Sequence, residues 1–162
     1  MQLRTAADFE AMASAVLAEG TNISFRARGR SMSPFICNNE TVVIEPLFRE
    51  LRIGDVILFR SQGGQLILHR ILKKTLNGYG TRGDGTSHDD GIIPHNAVLG
   101  RAVHVVNGLN FHLKFPLSMV VALALRQRKY PAVFRLLKTP GRLLIRLLQQ
   151  QARGCAAPLQ AD

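Results

Sequence analysis

The sequence predicts a mainly β fold of small, strongly bent sheets, with a short helix before it and basic amphipathic helices after it. From Ser24 to Val106, short runs of branched aliphatic residues alternate with Gly, Asn, Asp and Pro, as expected of strands joined by tight turns. A length of 162 residues, 46% of them hydrophobic, suits one compact domain with an extension. We therefore expect an N-terminal helix over residues 1–20, a β domain over 21–110 and a helical extension over 111–162.

The segment Thr5 to Leu17 predicts a short helix. Thr5 and Asp8 have the spacing of a capping box, with Asp in place of the usual Glu or Gln. Apolar residues recur on one face and Gly20 can end the helix; they are Phe9, Ala13, Val16 and Leu17. The segment lacks the basic start and continuous apolar run of a secretory signal peptide, and it is too short to span a bilayer.

Four later segments predict strands because they are rich in branched aliphatic residues. They are Thr41–Pro46, Asp55–Phe59, Gln65–Leu72 and Ala97–Val106.

The pair Asn77-Gly78 predicts a two-residue type I′ turn after the third of these strands. That turn would place Ile71 opposite Asp84. Because His69 shares a strand face with Ile71, Asp84 is then expected diagonally across from His69.

The net charge of +10 is concentrated in the C-terminal part, because residues 91–162 contain a single acidic residue, Asp162. Basic residues with leucines between them recur every three or four positions from Arg135 to Arg146, which predicts amphipathic helices. An ordinary packed and solvated helix pair fits this pattern, and so does an anionic membrane surface contacted through the Arg126–Arg146 region. Few aromatic residues occur there, which disfavours nucleic acid as the partner.

The two cysteines, Cys37 and Cys155, lie far apart and match no metal-binding spacing. Two free thiols in a reducing compartment are therefore expected, with no metal or other cofactor. The expected location is the cytoplasm or the periphery of the cytoplasmic membrane, with no transmembrane anchor evident.

Ser31, in the stretch GRSMSP, is the candidate nucleophile. A serine hydroxyl reacts poorly until a base takes its proton, which His69 could do if a carboxylate fixed its tautomer. The candidate carboxylates Asp84, Asp89 and Asp90 all occur in TRGDGTSHDDG. Taken singly, a serine before proline is more often a turn residue, and a histidine on an apolar strand is more often a hydrogen-bonded core residue.

Three ordered segments together resemble the signal peptidase superfamily, which includes the LexA-like self-cleaving proteases. GRSMSPFI resembles the nucleophile box of that family. LRIGDVILF followed by LILHRIL resembles its Gly-Asp-hydrophobic segment and general-base strand. TRGDGTSHDDGIIP with VLGRAV resembles the box that contains Gly-Asp, then Asp-Asp, then a closing Gly-Arg strand.

The resemblance implies a signal peptidase I-like serine endopeptidase with a LexA/signal-peptidase-like β fold. His69 stands where typical bacterial signal peptidases carry lysine, which is similar to the Ser-His-Asp branch of endoplasmic-reticulum and archaeal signal peptidases. Ser31 would attack the scissile carbonyl and His69 would act as base and then as acid. The resemblance favours Asp90 as the orienting carboxylate, whereas the hairpin register favours Asp84; Asp89 ranks third.

Two departures from the family pattern affect the nucleophile box. Gly29 replaces the usual serine, so an oxyanion hole would depend on backbone N–H groups, chiefly that of Ser31. Asn39-Glu40 replaces the usual Gly-Asp, and Asn tolerates the positive φ that Gly would supply.

The expected substrate is a precursor protein or leader peptide, bound as an extended strand by β-augmentation, with small side chains near the cleavage point as the resemblance implies. One alternative is a LexA-like autoproteolytic regulator, although the stretch before the catalytic domain is too short for a DNA-binding helix-turn-helix module. The other is a catalytically inactive relative that serves as a peptide-binding or assembly module.

Overall fold

The fold, in a computed structural model, is mainly β, as the sequence predicts. The structure describes residues 6–33 and 35–106. Their elements are helix α1 (Ala6–Ala18), strands β1 (Ile23–Arg26), β2 (Thr41–Glu45), β3 (Val56–Arg60), β4 (Leu66–Thr75), β5 (Gly78–Arg82), β6 (Ile92–Ile93) and β7 (Val98–Val106), and a 3-10 turn at His95–Ala97. The basic helices expected over 111–162 lie outside the described residues, as does Thr5.

The strands form one antiparallel sheet in the order β1-β2-β7-β3-β4-β5-β6, rather than several small sheets. Register shifts interrupt the β2–β7, β3–β7 and β4–β5 pairs. Such irregularities bend a strand and increase its twist. These register shifts therefore bend the sheet. In the described part of the chain, β1 forms one edge of the sheet.

Strand β3 is buried on both faces of the sheet, which explains its uninterrupted apolar sequence. Val56 and Leu58 belong to one apolar cluster, while Ile57 and Phe59 belong to a second. This alternation follows from the two-residue period of side chains along a strand.

Helix α1 packs on the first of these clusters through the face that the sequence predicts. Ala13 and Leu17 are buried, and Phe9 and Val16 pack beside them. The chain leaves the helix at Gly20.

The turn between β4 and β5 differs from the predicted type I′ turn. Thr75 pairs with Gly78, so the connecting residues are Leu76 and Asn77. A type I′ turn at Asn77-Gly78 needs positive φ at both residues, and Asn77 does not have it. An added Cβ on Gly78 would lie 2.0 Å from the carbonyl oxygen of Ile93, so the close approach of β6 is what requires glycine here.

The predicted hairpin register is consequently wrong. Ile71 pairs with Thr81 instead of Asp84, and the register shifts again between Ile71 and Lys73. The shift moves Asp84 away from the position diagonally across from His69.

The expectation of two free thiols is wrong for Cys37, which is disulfide-bonded. Distance along the sequence disfavours a compact metal site, but it carries no information on whether Cys37 is oxidised. Cys155 lies outside the described residues. The inference of a reducing compartment depended on free thiols, so it loses its support. Separately, none of the helices in residues 6–33 and 35–106 is long and apolar enough to cross a membrane.

Candidate active site

Ser31 lies in a tight turn just after β1. The N–H of Ser33 donates to the carbonyl oxygen of Arg30 at 3.1 Å, and that of Ile36 donates to Met32 O at 3.0 Å. The Met32 and Ile36 side chains are buried in the core that also contains Leu58 and Leu68. These apolar anchors fix the turn, and they leave Ser31 half-buried at the wall of a cavity.

Two backbone N–H groups near the Ser31 side chain, those of Gly29 and Ser31, differ in whether an acceptor occupies them. Gly29, at φ 98°, donates its N–H to Asn38 Oδ1 at 2.9 Å, so this group is occupied. The N–H of Ser31 has no hydrogen-bond acceptor among the described residues. Asn39 has a φ of 67°, which confirms that Asn supplies the positive φ expected at this position.

His69 lies near the middle of β4 and is oriented by a carboxylate. Its Nδ1 lies 2.7 Å from Asp90 Oδ2, and the two side chains are only 9% and 20% exposed. Because a carboxylate accepts hydrogen bonds, this contact assigns the proton to Nδ1 and leaves the Nε2 lone pair available. The edge of the His69 ring also packs near Phe59, with the ring centroids 6.3 Å apart.

Thr81 holds Asp90 in place from the neighbouring strand β5. The Thr81 hydroxyl donates to Asp90 Oδ2 at 2.7 Å, and the N–H of Asp90 donates to Thr81 O at 2.9 Å. Thr81 pairs with Ile71, two residues from His69, so the observed register brings the three polar side chains together. The sequence gives one signal for Thr81, a small hydroxyl residue within the strand before the Gly-Asp box.

Gly83 lies where the His69 imidazole approaches the turn that contains Ser31. An added Cβ there would lie 2.4 Å from Ser31 O and 2.8 Å from His69 Nε2. The N–H of Gly85 donates to Ser31 O at 2.7 Å and ties this loop to the turn. The absence of a side chain at Gly83 therefore allows Nε2 and the Ser31 backbone to approach each other.

Ser31 and His69 line one cavity of about 470 Å³. No hydrogen bond joins the Ser31 hydroxyl to His69 Nε2 in the described part of the chain. Nucleophile–base hydrogen bonds are often long before substrate binds, and they shorten in the complex. Ser31 and His69 therefore share one cavity without a direct hydrogen bond between them.

Asp84 lies apart from His69 and forms a buried ion pair. Both of its oxygens accept hydrogen bonds from Arg70, at 2.8 Å from Nε and 2.6 Å from Nη2. Arg70 also donates from Nη1 to Gly54 O at 2.7 Å. Since Arg70 follows His69 and Asp84 follows Gly83, this ion pair joins strand β4 to the loop beside Ser31. Sequence reasoning missed Arg70, although a charged residue inside an apolar strand signals a buried partner.

The third candidate carboxylate, Asp89, points to solvent. Its side chain is 71% exposed and lies 3.5 Å from Arg82 Nη1. Asp90 is thus the carboxylate that contacts His69, whereas Asp84 and Asp89 bind arginines. Within residues 6–33 and 35–106, no group of His, Cys, Asp and Glu side chains is arranged to hold a metal ion.

The family model described as Peptidase S24-like matches residues 2–97, which is more than half of the chain. The chain belongs to the Peptidase S24-like family. The match contains helix α1 together with Ser31, His69 and Asp90. As a Peptidase S24-like protein, it is a serine-peptidase-type hydrolase at the level of the family. No curated protein and no solved structure matches the sequence.

Proposed function

We propose that this protein is a serine endopeptidase of the signal-peptidase type, which cleaves a precursor or leader peptide by a Ser-His-Asp mechanism. One observation carries the proposal: Asp90 binds His69 Nδ1, while Nε2 is directed to the loop that contacts the Ser31 backbone. Membership of the Peptidase S24-like family supports the general chemistry.

The first half of the reaction forms an ester between Ser31 and the substrate. Ser31 Oγ attacks the scissile carbonyl carbon as its proton passes to His69 Nε2. Asp90 stabilises the resulting imidazolium through Nδ1–H, and the N–H of Ser31 donates to the developing oxyanion. His69 then gives its proton to the leaving amine, and the C–N bond breaks.

The second half releases the acyl group. Water loses a proton to His69 and attacks the ester, after which His69 returns the proton to Ser31 Oγ as the C–O bond breaks.

Labelling with a fluorophosphonate probe tests whether Ser31 is activated. We expect labelling of the wild-type chain, its loss in Ser31→Ala and a strong reduction in His69→Ala. Ser33→Ala is the matched control because Ser33 lies in the same turn, is also half-buried and should leave labelling unchanged. Labelling that survives Ser31→Ala would reject this serine, and a folded chain that never labels would favour the inactive peptide-binding alternative.

Candidate precursors incubated with wild-type and Ser31→Ala protein test whether cleavage occurs. Mass spectrometry should find new termini with the wild-type chain alone. Identical fragments from both proteins would assign the cleavage to a contaminant.

A LexA-like autoproteolytic regulator is the second candidate, and the Peptidase S24-like match favours it. The intact mass of the purified chain during storage separates the two proposals. A shortened product in the wild-type chain, absent in Ser31→Ala, supports self-cleavage.

We also propose that the basic Arg126–Arg146 region contacts an anionic membrane surface; this region lies outside the described residues, so its charge pattern alone supports the proposal. Flotation with vesicles of anionic lipid, but not with neutral vesicles, is the expected result. Equal behaviour with both vesicle types would remove the proposal.

A further inference from the structure

Arg26, Arg28 and Arg30, just before the nucleophile, have exposed side chains that form no ion pair within the described ranges. By contrast, Arg49, Arg60, Arg70 and Arg101 each pair with a carboxylate. Asp162 is the one acidic side chain of the sequence outside the described residues, so few carboxylates remain that could form ion pairs with these arginines.

Among the described residues, the edge of the sheet beside these arginines has backbone groups without a partner strand. β1 is the terminal strand and pairs with β2 alone in the described part of the chain. Ala27 donates its N–H to Glu40 O and accepts from Asn39 N, both at 2.8 Å, so its backbone groups face the residues just before β2. Because these directions alternate along an antiparallel strand, the N–H and C=O groups of Ser24 and Arg26 point away from β2 and can pair with another chain.

The two faces of β1 differ in chemistry. Phe25 and Ala27 are half-buried and line the cavity that also contains Ser31 and His69, and Arg26 and Arg28 contribute to the lining of the same cavity. Arg26, the last residue of β1, and Arg28, two residues beyond it, alternate with them in sequence and are exposed. We call these two residues the arginine pair. Their separation of about 6.8 Å matches the repeat of alternate side chains in an extended peptide.

We propose that the free edge of β1 binds an extended peptide that carries acidic residues at alternate positions, with apolar residues between them. Residues that lie opposite one another on neighbouring strands project from the same face. A peptide paired with β1 would therefore direct one set of side chains to the arginine pair and the other set into the cavity. This inference rests on the proposed function and specifies the substrate class of the same site.

The shape of this surface favours a peptide over a polyanion. A nucleic acid or a membrane headgroup would use the positive charge, but it would use neither the free backbone groups nor the apolar cavity wall. An acidic and apolar peptide strand uses all three. Arg30 follows Gly29, whose φ of 98° breaks the strand alternation, so Arg30 contributes charge near Ser31 without belonging to the arginine pair.

Peptide binding to the full chain tests the inference. The Ser31→Ala protein prevents cleavage, and fluorescence anisotropy measures its affinity for three fluorescein-labelled octapeptides. The first alternates Glu with Ala and Leu, the second has Gln in place of each Glu, and the third has the composition of the first with its Glu residues grouped at one end. The double variant Arg26→Gln/Arg28→Gln removes the arginine pair. Arg49→Gln/Lys73→Gln removes the same charge from exposed positions elsewhere and is the matched control.

We expect the alternating Glu peptide to bind about fivefold or more tightly than the Gln peptide, the order of two exposed ion pairs. It should also bind more tightly than the grouped isomer. The preference over the Gln peptide should fall below about twofold in Arg26→Gln/Arg28→Gln, persist in the control variant and weaken with salt.

Three results would overturn the inference: a preference that survives Arg26→Gln/Arg28→Gln, an equal loss in the control variant, or no binding of any peptide. Fluorophosphonate labelling of Ser31 in otherwise wild-type protein reports separately on the proposed function. Labelling of Ser31 without discrimination between the peptides would support the proposed peptidase function and reject the arginine pair as a binding surface. Discrimination between the peptides without labelling would support the peptide-binding surface and reject the proposed peptidase function.

Discussion

Replacing Asp84 with asparagine should destabilise the protein strongly while leaving the chemistry of Ser31 nearly intact. The side chains of Arg70 and Asp84 are 1% and 0% exposed, so Asp84→Asn leaves a buried guanidinium without its counter-charge. Breaking a buried pair on one side costs about 3–5 kcal/mol of the free energy of unfolding. This is a large fraction of the roughly 5–15 kcal/mol that stabilises an ordinary domain.

A double variant separates the unpaired charge from the loss of contacts. Arg70→Met/Asp84→Leu removes both charges, so no buried ion is left alone. It also removes the hydrogen bond from Arg70 to Gly54 O, and an unsatisfied buried carbonyl costs about 1–3 kcal/mol. The double variant should therefore be more stable than Asp84→Asn by about 2 kcal/mol, the difference between these two costs.

Urea unfolding followed by circular dichroism measures the free energies, and fluorophosphonate labelling under native conditions measures the reactivity of Ser31. Labelling of folded Asp84→Asn should stay within about tenfold of wild type, because Asp84 makes no contact with His69. A variant that keeps its stability within about 1 kcal/mol but loses labelling would refute this reasoning and make Asp84 the orienting carboxylate.

Three further changes test other parts of the structure. Asp90→Asn should reduce the labelling rate of Ser31 by about 10³-fold or more, because it disturbs the tautomer of His69. It should change the free energy of unfolding by only about 1 kcal/mol. A normal labelling rate would contradict the role of Asp90 as the orienting carboxylate. Gly83→Ala should slow the labelling of Ser31, because the added Cβ would collide with Ser31 O and His69 Nε2. Gly63→Ala is the control and should not slow labelling, because the nearest atom to its added Cβ is Ser61 Oγ at 3.8 Å. Equal effects of the two variants would contradict the steric argument. Burial raises the pKa of the Asp55 carboxyl above its usual 3.8, so the native state binds the carboxyl proton more tightly than the unfolded state does. The contribution of Asp55 to the free energy of unfolding therefore falls as the pH rises from 3.8 through the raised pKa. Asp55→Asn should make the free energy of unfolding, measured with urea at pH 4 and pH 7, depend less on pH than in wild type, and an unchanged difference would refute this assignment.

Local sequence chemistry predicts the elements of this fold well. Branched aliphatic runs identify β2, β3, β4 and β7 to within a few residues, and helix α1 follows the predicted apolar face. These elements can be predicted because burial of one face of a strand or helix requires apolar residues to recur with a regular period along the sequence.

Pairing between elements was less predictable, and the β4–β5 hairpin shows why. Asn77-Gly78 is a strong local turn signal, yet glycine is required at position 78 by the approach of Ile93 from β6, which lies outside the β4–β5 hairpin. The turn moved by one residue, and the bulge near Lys73 moved the register again. Each shift changes which side chains face each other.

The sequence by itself determined the mainly β class, because each branched aliphatic run indicates a strand by itself. It identified Ser31 and His69 as candidates only through three ordered segments taken together. Only the tertiary structure decided which carboxylate meets the imidazole. Asp84 and Asp90 lie in one loop, but Arg70 binds the first and Thr81 positions the second against His69. The physical reason is that hydrogen bonds between distant segments depend on strand register and burial, and the spacing of residues along the sequence determines neither of these.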